Sequence, residues 1–265
     1  MKLSIYSISL IISLTLLNFS CNNESKPEEQ QLSTTFPMQK QYWDVADYDA
    51  ILSELSVYQE GKKLPNLSDP NTAPAFSKLI DVNNVAVVVE DTTLGTIHRS
   101  NFASEMFDNY KDLYDDYSKL DREDKYIYPS EIAEIVLFGV YTQIYYFKLG
   151  NDKIIKESTD ANSEQAKSVL RRNAQVVVDN LKISLDHCKK EKALTPDAIH
   201  RLAIGFEKYL PLLFKTFSAS DYSELKSQIE VLLTTVNSSE LKQMLTNAKA
   251  AIEKLESEHP ETSEK

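Results

Sequence analysis

The feature that most restricts how this chain can fold is where its backbone-breaking residues are missing. Five glycines occur in 265 residues (Gly61, Gly95, Gly139, Gly150 and Gly205), no two closer than eleven positions, and no proline falls within 75–128 or 130–195. A sheet protein of this length needs frequent Gly, Pro and Asn turns between short strands, whereas long runs free of both breakers suit helices. The same scarcity removes two ligand chemistries. A Gly-x-Gly-x-x-Gly dinucleotide fingerprint and a Gly-x-x-x-x-Gly-Lys phosphate loop both need closely spaced glycines, because only glycine lets backbone N–H groups approach a phosphate so closely. Neither spacing exists here, and no cofactor is expected.

Hydrophobic residues make up 42% of the chain and charged residues 26%, enough to bury a core and too apolar for a disordered protein. Acids outnumber bases by 40 to 29, for a formal net charge of −11. Such an excess repels phosphate backbones, and no clustered basic face for counterion release is evident, so nucleic acid is not an expected partner.

Helical periodicity then divides the chain. Residues 42–256 read as one all-α domain, an antiparallel multi-helix bundle of about seven helices. The first is predicted from Asp44 to Gln59, with Val45, Tyr48, Ile51, Leu52, Leu55 and Tyr58 in register and Gly61 ending it. Pro65, Pro70 and Pro74 mark a loop, followed by a short helix at Ala73–Asp81. Val85–Val89 has strand character but no evident partner run; a short buried helix is favoured, and a strand stays open. Thr96–Leu120 keeps Ile97, Phe102, Met106, Tyr110, Leu113, Tyr117 and Leu120 on one face. Tyr128-Pro129-Ser130-Glu131 opens a helix to Lys148 that is apolar on almost every side, which marks it as the central helix. Ser163 caps a helix carrying Ala166, Leu170, Val177, Leu181, Leu185 and Cys188 on one face. Thr195-Pro196-Asp197 starts another, Asp221 and Glu224 have capping-box spacing for the next, and Ser238 starts the last. Short loops make successive helices antiparallel neighbours. Segment 257–265 reads as a polar tail.

Among side chains able to do chemistry, His98, His187, His200 and His259 include no pair at the i, i+4 spacing that sets two imidazoles over one metal, so no metal site is expected. His187 adjoins Cys188, but neighbouring helical side chains diverge, and Cys188 on the apolar stripe reads as a packed, inert thiol. Glu105, Asp108, Asp112, Asp115, Asp116, Asp121, Glu123 and Asp124 crowd one region. Counted from Asp121 as a calcium loop, the places of its central Gly and terminal Glu are held by Tyr126 and Ile132, so these acids read as a solvated helix face. Tyrosine is in excess at fourteen. Tyr110, Tyr114 and Tyr117 fall on one helix side, and tyrosine's broad ring and polar tip suit binding surfaces, so these three are the candidate ligand-binding residues. No nucleophile elbow, His-Glu-x-x-His or triad spacing occurs; no catalytic residue is assigned, and the chain reads as a binding protein rather than an enzyme.

The N-terminus carries the most specific signal. Lys2 precedes an uncharged run, Leu3–Ser20, whose apolar centre of about fifteen residues has the length of a signal-peptide core and falls short of a membrane span. Leu17-Asn18-Phe19-Ser20-Cys21 follows, and then the polar Asn22-Asn23-Glu24-Ser25-Lys26-Pro27-Glu28-Glu29. This arrangement resembles the processing site of a bacterial lipoprotein of the Bacteroidota type, over the first thirty residues or so. The resemblance implies removal of 1–20, acyl chains such as palmitate on Cys21, and an anchor in the outer membrane on its surface or periplasmic face. Two or three chains at about 0.8 kcal/mol per buried methylene make that attachment durable. With Cys21 acylated, Cys188 has no disulfide partner. Residues 21–41, rich in Glu, Gln, Ser, Thr and Pro, read as a flexible stalk spanning about 25 Å r.m.s..

Anchor, stalk and bundle without catalytic hardware point to a binding or scaffold protein that presents helix faces to an envelope protein partner. Two other readings stay open: a receptor for a small ligand or glycan through a Tyr-lined, acid-rimmed cleft near Tyr110–Tyr117, and an immunity lipoprotein that neutralises a basic toxin. The anchor is testable by itself. Cys21→Ser is expected to abolish incorporation of labelled palmitate and to move the protein from the membrane to the soluble fraction; unchanged labelling and fractionation would refute it.

Overall fold

The computed structural model describes residues 36–57, 63–122, 124–157 and 163–258. The signal segment 1–20, Cys21 and most of the stalk lie outside the described residues, as do Tyr58, Gln59, Gly61, Glu123, His259 and the tail beyond 258. Within them the chain is all α, with no strand: α1 (Val45–Leu55), α2 (Ala73–Leu79), α3 (Val82–Val89), α4 (Thr96–Ser118), α5 (Pro129–Glu157), α6 (Glu164–Leu185), a 3₁₀ turn (Asp186–Lys190), α7 (Pro196–Thr216), α8 (Ser223–Thr235) and α9 (Ser239–Glu258). The described residues hold nine α-helices, more than the seven or so expected from the pattern, and the short α2 and α3 fall where short helices are expected. No helix of the described residues is long and apolar enough to cross a membrane.

Local chemistry sets most helix starts. Asp44 and Asp47 form a reciprocal capping box at α1. Ser163, Thr195 and Ser238 each accept a hydrogen bond from the N–H three residues on, at 3.1, 3.2 and 3.3 Å. Val85–Val89 is helical because Asp81, just past α2, accepts from the Asn83 N–H at 3.0 Å and caps α3. The box expected at Asp221 and Glu224 does not form. Asp221 accepts from the Ser223 N–H at 2.9 Å, and the Glu224 carboxylate turns instead to Lys182 on α6. Helix α5 passes the expected stop at Lys148: a side chain at Gly150 would meet open space, and Lys148 pairs with Asp152 at 3.1 Å across that turn. Helix α1 ends short of the predicted Gln59, where Lys119 Nζ lies 3.4 Å from the carbonyls of both Leu55 and Ser56.

Residues 36–41, the end of the segment expected as a stalk, make contacts with the helices. Phe36 stacks on Trp43 with ring centroids 6.0 Å apart, Pro37 C=O accepts from Trp43 Nε1 at 3.2 Å, and Lys78 Nζ donates to Gln41 C=O at 2.6 Å. Residues 36–41 are therefore part of the domain. Their one aromatic meets its partner outside the segment, which a search for internal periodicity does not detect. Ile97 is likewise displaced from its expected place in the core and is 53% exposed, because the apolar stripe of α4 begins at Phe102 and Ala103.

Residue pairs fix the helix directions. Lys156 lies against Thr96 (3.3 Å), Tyr110 against Gly139, and the rings of Tyr117 and Tyr128 stand 5.3 Å apart, so α4 and α5 are antiparallel. Glu134 pairs with Arg201 at 2.7 Å, Leu137 meets Gly205, and Tyr141 meets Tyr209, so α5 and α7 run parallel. His200–Glu240 and Glu207–Asn247, each 3.0 Å, make α9 parallel to α7. Lys226–Glu256 at 2.7 Å and Glu230–Lys249 at 2.8 Å make α8 antiparallel to α9. The result is a row α4–α5–α7–α9, with α6 and α8 laid on one side and the short N-terminal helices packed on α4 and α5. Every residue of α5 from 135 to 145 is buried, which fits its reading as the central helix.

Two glycines let this row close. A Cβ at Gly139 would overlap the Tyr110 ring, and one at Gly205 would overlap the Leu137 side chain. Gly139→Ala is expected to lose about 1–3 kcal/mol of stability in urea unfolding, overpacking exceeding the gain in helix propensity. Gly150→Ala, with open space at the same atom, is the control and is expected to gain up to about 1 kcal/mol. Equal effects at the two positions would count against close packing as the reason for Gly139.

Candidate functional site

Where the tyrosines go decides what the predicted cleft can be. Tyr117 is buried, and its hydroxyl donates to Pro65 C=O at 2.6 Å. Tyr110 packs flat on Gly139, and burial pushes its phenol up to about 12, helped by Tyr114 and Asp115. The Tyr114 hydroxyl stands 3.4 Å from His187 Nε2, and Tyr126 approaches His187 Nδ1 at 3.0 Å from the other side. The three candidate tyrosines thus share a helix but not a pocket: one pins the 64–67 loop, one fits a glycine, and one meets a buried histidine. Tyr128 and Glu131 complete the loop's attachment by accepting from the Leu64 and Leu67 N–H groups.

On the next face of α4 lies a polar groove of about 450 Å³, formed with α1 and lined by Asp49, Leu52, Ser53, Ser56, Asn109, Asp112, Asp115 and Asp116. Helix α1 is fixed there by Tyr48, Ile51, Leu52 and Leu55, all buried, while Asp49, Ser53 and Ser56 face outward. On α4 the positions 109 and 116 lie two turns apart on the stripe that also buries Met106 and Leu113. This stripe brings polar side chains inward: Asn109 is 6% exposed and Asp116 8%. Asn109 Nδ2 and Asp116 Oδ2 are buried without a hydrogen-bond partner. Burial raises the Asp116 pKa, opposed by Lys119, which reaches Oδ1 at 3.5 Å. Asp112 and Asp115 stand exposed at the rim.

Sequence reasoning placed Asp112 and Asp115 correctly on a solvated face. It missed Asn109 and misplaced Asp116, although both fall in step with Met106 and Leu113. Asp121 also departs from the solvated face: it lies beyond α4, accepts from the Ile127 N–H at 2.8 Å, and has Oδ2 buried without a partner. No group of three or more His, Cys, Asp or Glu side chains among the described residues is placed to hold a metal ion. His98 is exposed and His200 pairs with Glu240 at 3.0 Å. Cys188 is fully buried, and that burial pushes its thiol up to about 12, in keeping with an unreactive packed side chain.

A second groove, between α7 and α9, has about 520 Å³ and is lined chiefly by Leu210, Phe214, Met244, Ala248, Ala251 and Leu255. It contains none of the orphaned polar atoms that distinguish the α1–α4 groove. Comparison with protein-family models, with curated proteins and with solved structures finds no match for this chain.

His187 titrates in a useful range. Burial, and secondarily Lys190, hold its pKa down at about 4, so the folded ring is neutral and uses one nitrogen as donor and the other as acceptor toward the two tyrosines. The unfolded chain takes up that proton near 6.5. The His187 contribution is therefore complete above about 6.5 and is lost as pH falls from there toward 4, to the extent of about 3 kcal/mol. Asp116 and Asp121, with raised pKa values, act in the opposite direction. Urea unfolding at pH 7, 5 and 4 is expected to show a steeper fall for the native protein than for His187→Gln, and parallel profiles would contradict the assignment.

Proposed function

We propose that this chain is a lipid-anchored helical protein of the outer membrane that binds a basic protein partner through the α1–α4 groove. The observation that carries the reading is Asp116 Oδ2, a buried acceptor without a partner, in a groove rimmed by Asp49, Asp112 and Asp115. An unsatisfied buried polar atom costs on the order of 1–3 kcal/mol. Occupation of the groove by a Lys or Arg side chain supplies a donor to Asp116 and a counter-charge to the rim. The net charge of −11 adds long-range attraction for a basic partner and speeds encounter more than it adds affinity.

The signal core and Ser20-Cys21 support attachment, and residues 22–35 supply the tether. A basic toxin neutralised by an immunity protein fits the same groove chemistry as a resident envelope partner, and the identity of the bound protein separates the two. The glycan reading draws no comparable support, because Tyr117 is buried and Tyr110 lies packed on Gly139.

A photo-crosslinking amino acid at Ser53, exposed beside the groove, is expected to trap the partner in intact cells. Asp112→Lys with Asp115→Lys should abolish the crosslink while leaving thermal unfolding unchanged, since both residues are exposed. With purified protein, binding of an oligolysine peptide should weaken at least tenfold in the same double variant and should fall with salt. A crosslink and a peptide affinity that survive the charge reversal would remove the groove from the function.

A further inference from the structure

We propose that a separate groove, between the C-terminal half of α5, α6 and the α7–α8 turn, binds a single-tailed amphiphile with an oxyanion head. Two concavities there, of about 710 and 510 Å³, share Asn151, Thr216 and Phe217 and so form one elongated channel. Their size is that of small-ligand sites.

The channel has a polar end and an apolar end. At the first stand Arg171 and Arg172 on α6, with Ser220 from the turn. In this acidic protein most bases that face a neighbouring element meet a carboxylate: Arg201 pairs with Glu134 and Lys226 with Glu256, each at 2.7 Å, and Lys249 with Glu230 at 2.8 Å. Arg172 has no carboxylate partner among the described residues, and Arg171 reaches Glu164 only at 4.0 Å with its side chain 70% exposed. Arg172 and the weakly paired Arg171 leave positive charge at this end for a carboxylate or phosphate. The Ser220 hydroxyl is buried at this end beside the Tyr222 hydroxyl, with which it interacts. Asp221, the acid at this end, has Oδ1 engaged by the Ser223 N–H at 2.9 Å.

The other end is built for a tail. Phe217, Leu212 and Ile155 line it with Lys215 beside them; Phe217 is buried, and Ile155 is 55% exposed, an uncovered aliphatic side chain in an otherwise charged neighbourhood. The polar atoms along the middle are already occupied: Asn151 Oδ1 accepts from Asn173 at 3.0 Å, and Thr216 Oγ1 donates to Leu212 C=O at 2.7 Å. Lys148 at the far end is neutralised by Asp152. A tail lying on Phe217 and Ile155 buries apolar surface with few polar groups to desolvate.

The test is calorimetric titration below the micelle concentration, with dodecanoate and dodecyl phosphate as the oxyanion probes and dodecyl maltoside and dodecyltrimethylammonium as neutral and cationic comparators. One molecule of either oxyanion per chain is expected, with binding at least tenfold weaker in Arg171→Glu/Arg172→Glu, whose exposed positions leave thermal unfolding unchanged. A diazirine-bearing dodecanoate is expected to label peptides spanning 148–155 or 212–221. No binding by either oxyanion, equal binding by a comparator, unchanged affinity in the double variant, or labelling confined to other peptides overturns the proposal. None of these readouts involves the acidic groove, so the two assignments fail independently.

Discussion

The structure depends on one helix that cannot be exposed on any side. Three turns of α5, from 135 to 145, offer no solvated stripe, and their burial requires neighbours all round: α4, α6, α7 and the short α3. Removing this surface from water, at about 25 cal/mol per Å², is the main favourable contribution, but it is realised only where the neighbours come into van der Waals contact. Gly139 and Gly205 permit that approach by omitting a Cβ where Tyr110 and Leu137 enter. With α4 and α7 seated on α5, α9 follows along α7 and α8 closes against α9. The N-terminal helices have only α4 and α5 left to cover.

Polar groups in this core are, with few exceptions, tied to the chain that crosses them. Asn84 is fully buried, yet its Oδ1 accepts from the Trp43 N–H at 3.0 Å and its Nδ2 donates to Tyr48 and to Lys78 C=O at 3.2 Å. Tyr117, Tyr128 and Glu131 hold the loop at 64–67 in the same manner. Each such bond contributes modestly, and leaving its partner unmade costs more. Against that pattern Asn109 and Asp116 stand out. Asn109 Nδ2 and Asp116 Oδ2 end without a partner beside the groove that these residues line. A helix that keeps two such groups on its buried stripe gives up stability there.

Charge is distributed unevenly over the surface. Carboxylates gather where α1 meets α4, with only Asp116 paired among the described residues, to Lys119, and on α6 stand the weakly paired Arg171 and Arg172, while the α7–α9 and α8–α9 contacts are laced with matched pairs. Matched surface pairs contribute little to stability. Unmatched groups of one sign in a concave setting keep their field for a visitor. The two grooves differ in sign, acidic where α1 meets α4 and basic beside α6.

The amino-acid sequence by itself determined the secondary structure class, the identity of the central helix, the inert setting of Cys188 and the caps at Asp44, Ser163, Thr195 and Ser238. These follow from interactions within a few residues, or from an apolar pattern too complete to be satisfied in more than one way. Tertiary structure decided the rest. Glu224 left its cap for Lys182, Phe36 joined the domain through Trp43, Asp81 turned a possible strand into α3, and the tyrosines of α4 were divided among a loop, a glycine and a histidine. Asn109 and Asp116 came to line a groove only because α1 packs beside them. In each case the deciding partner is remote in the chain, and periodicity reports which face of a helix turns inward without reporting what it will meet there.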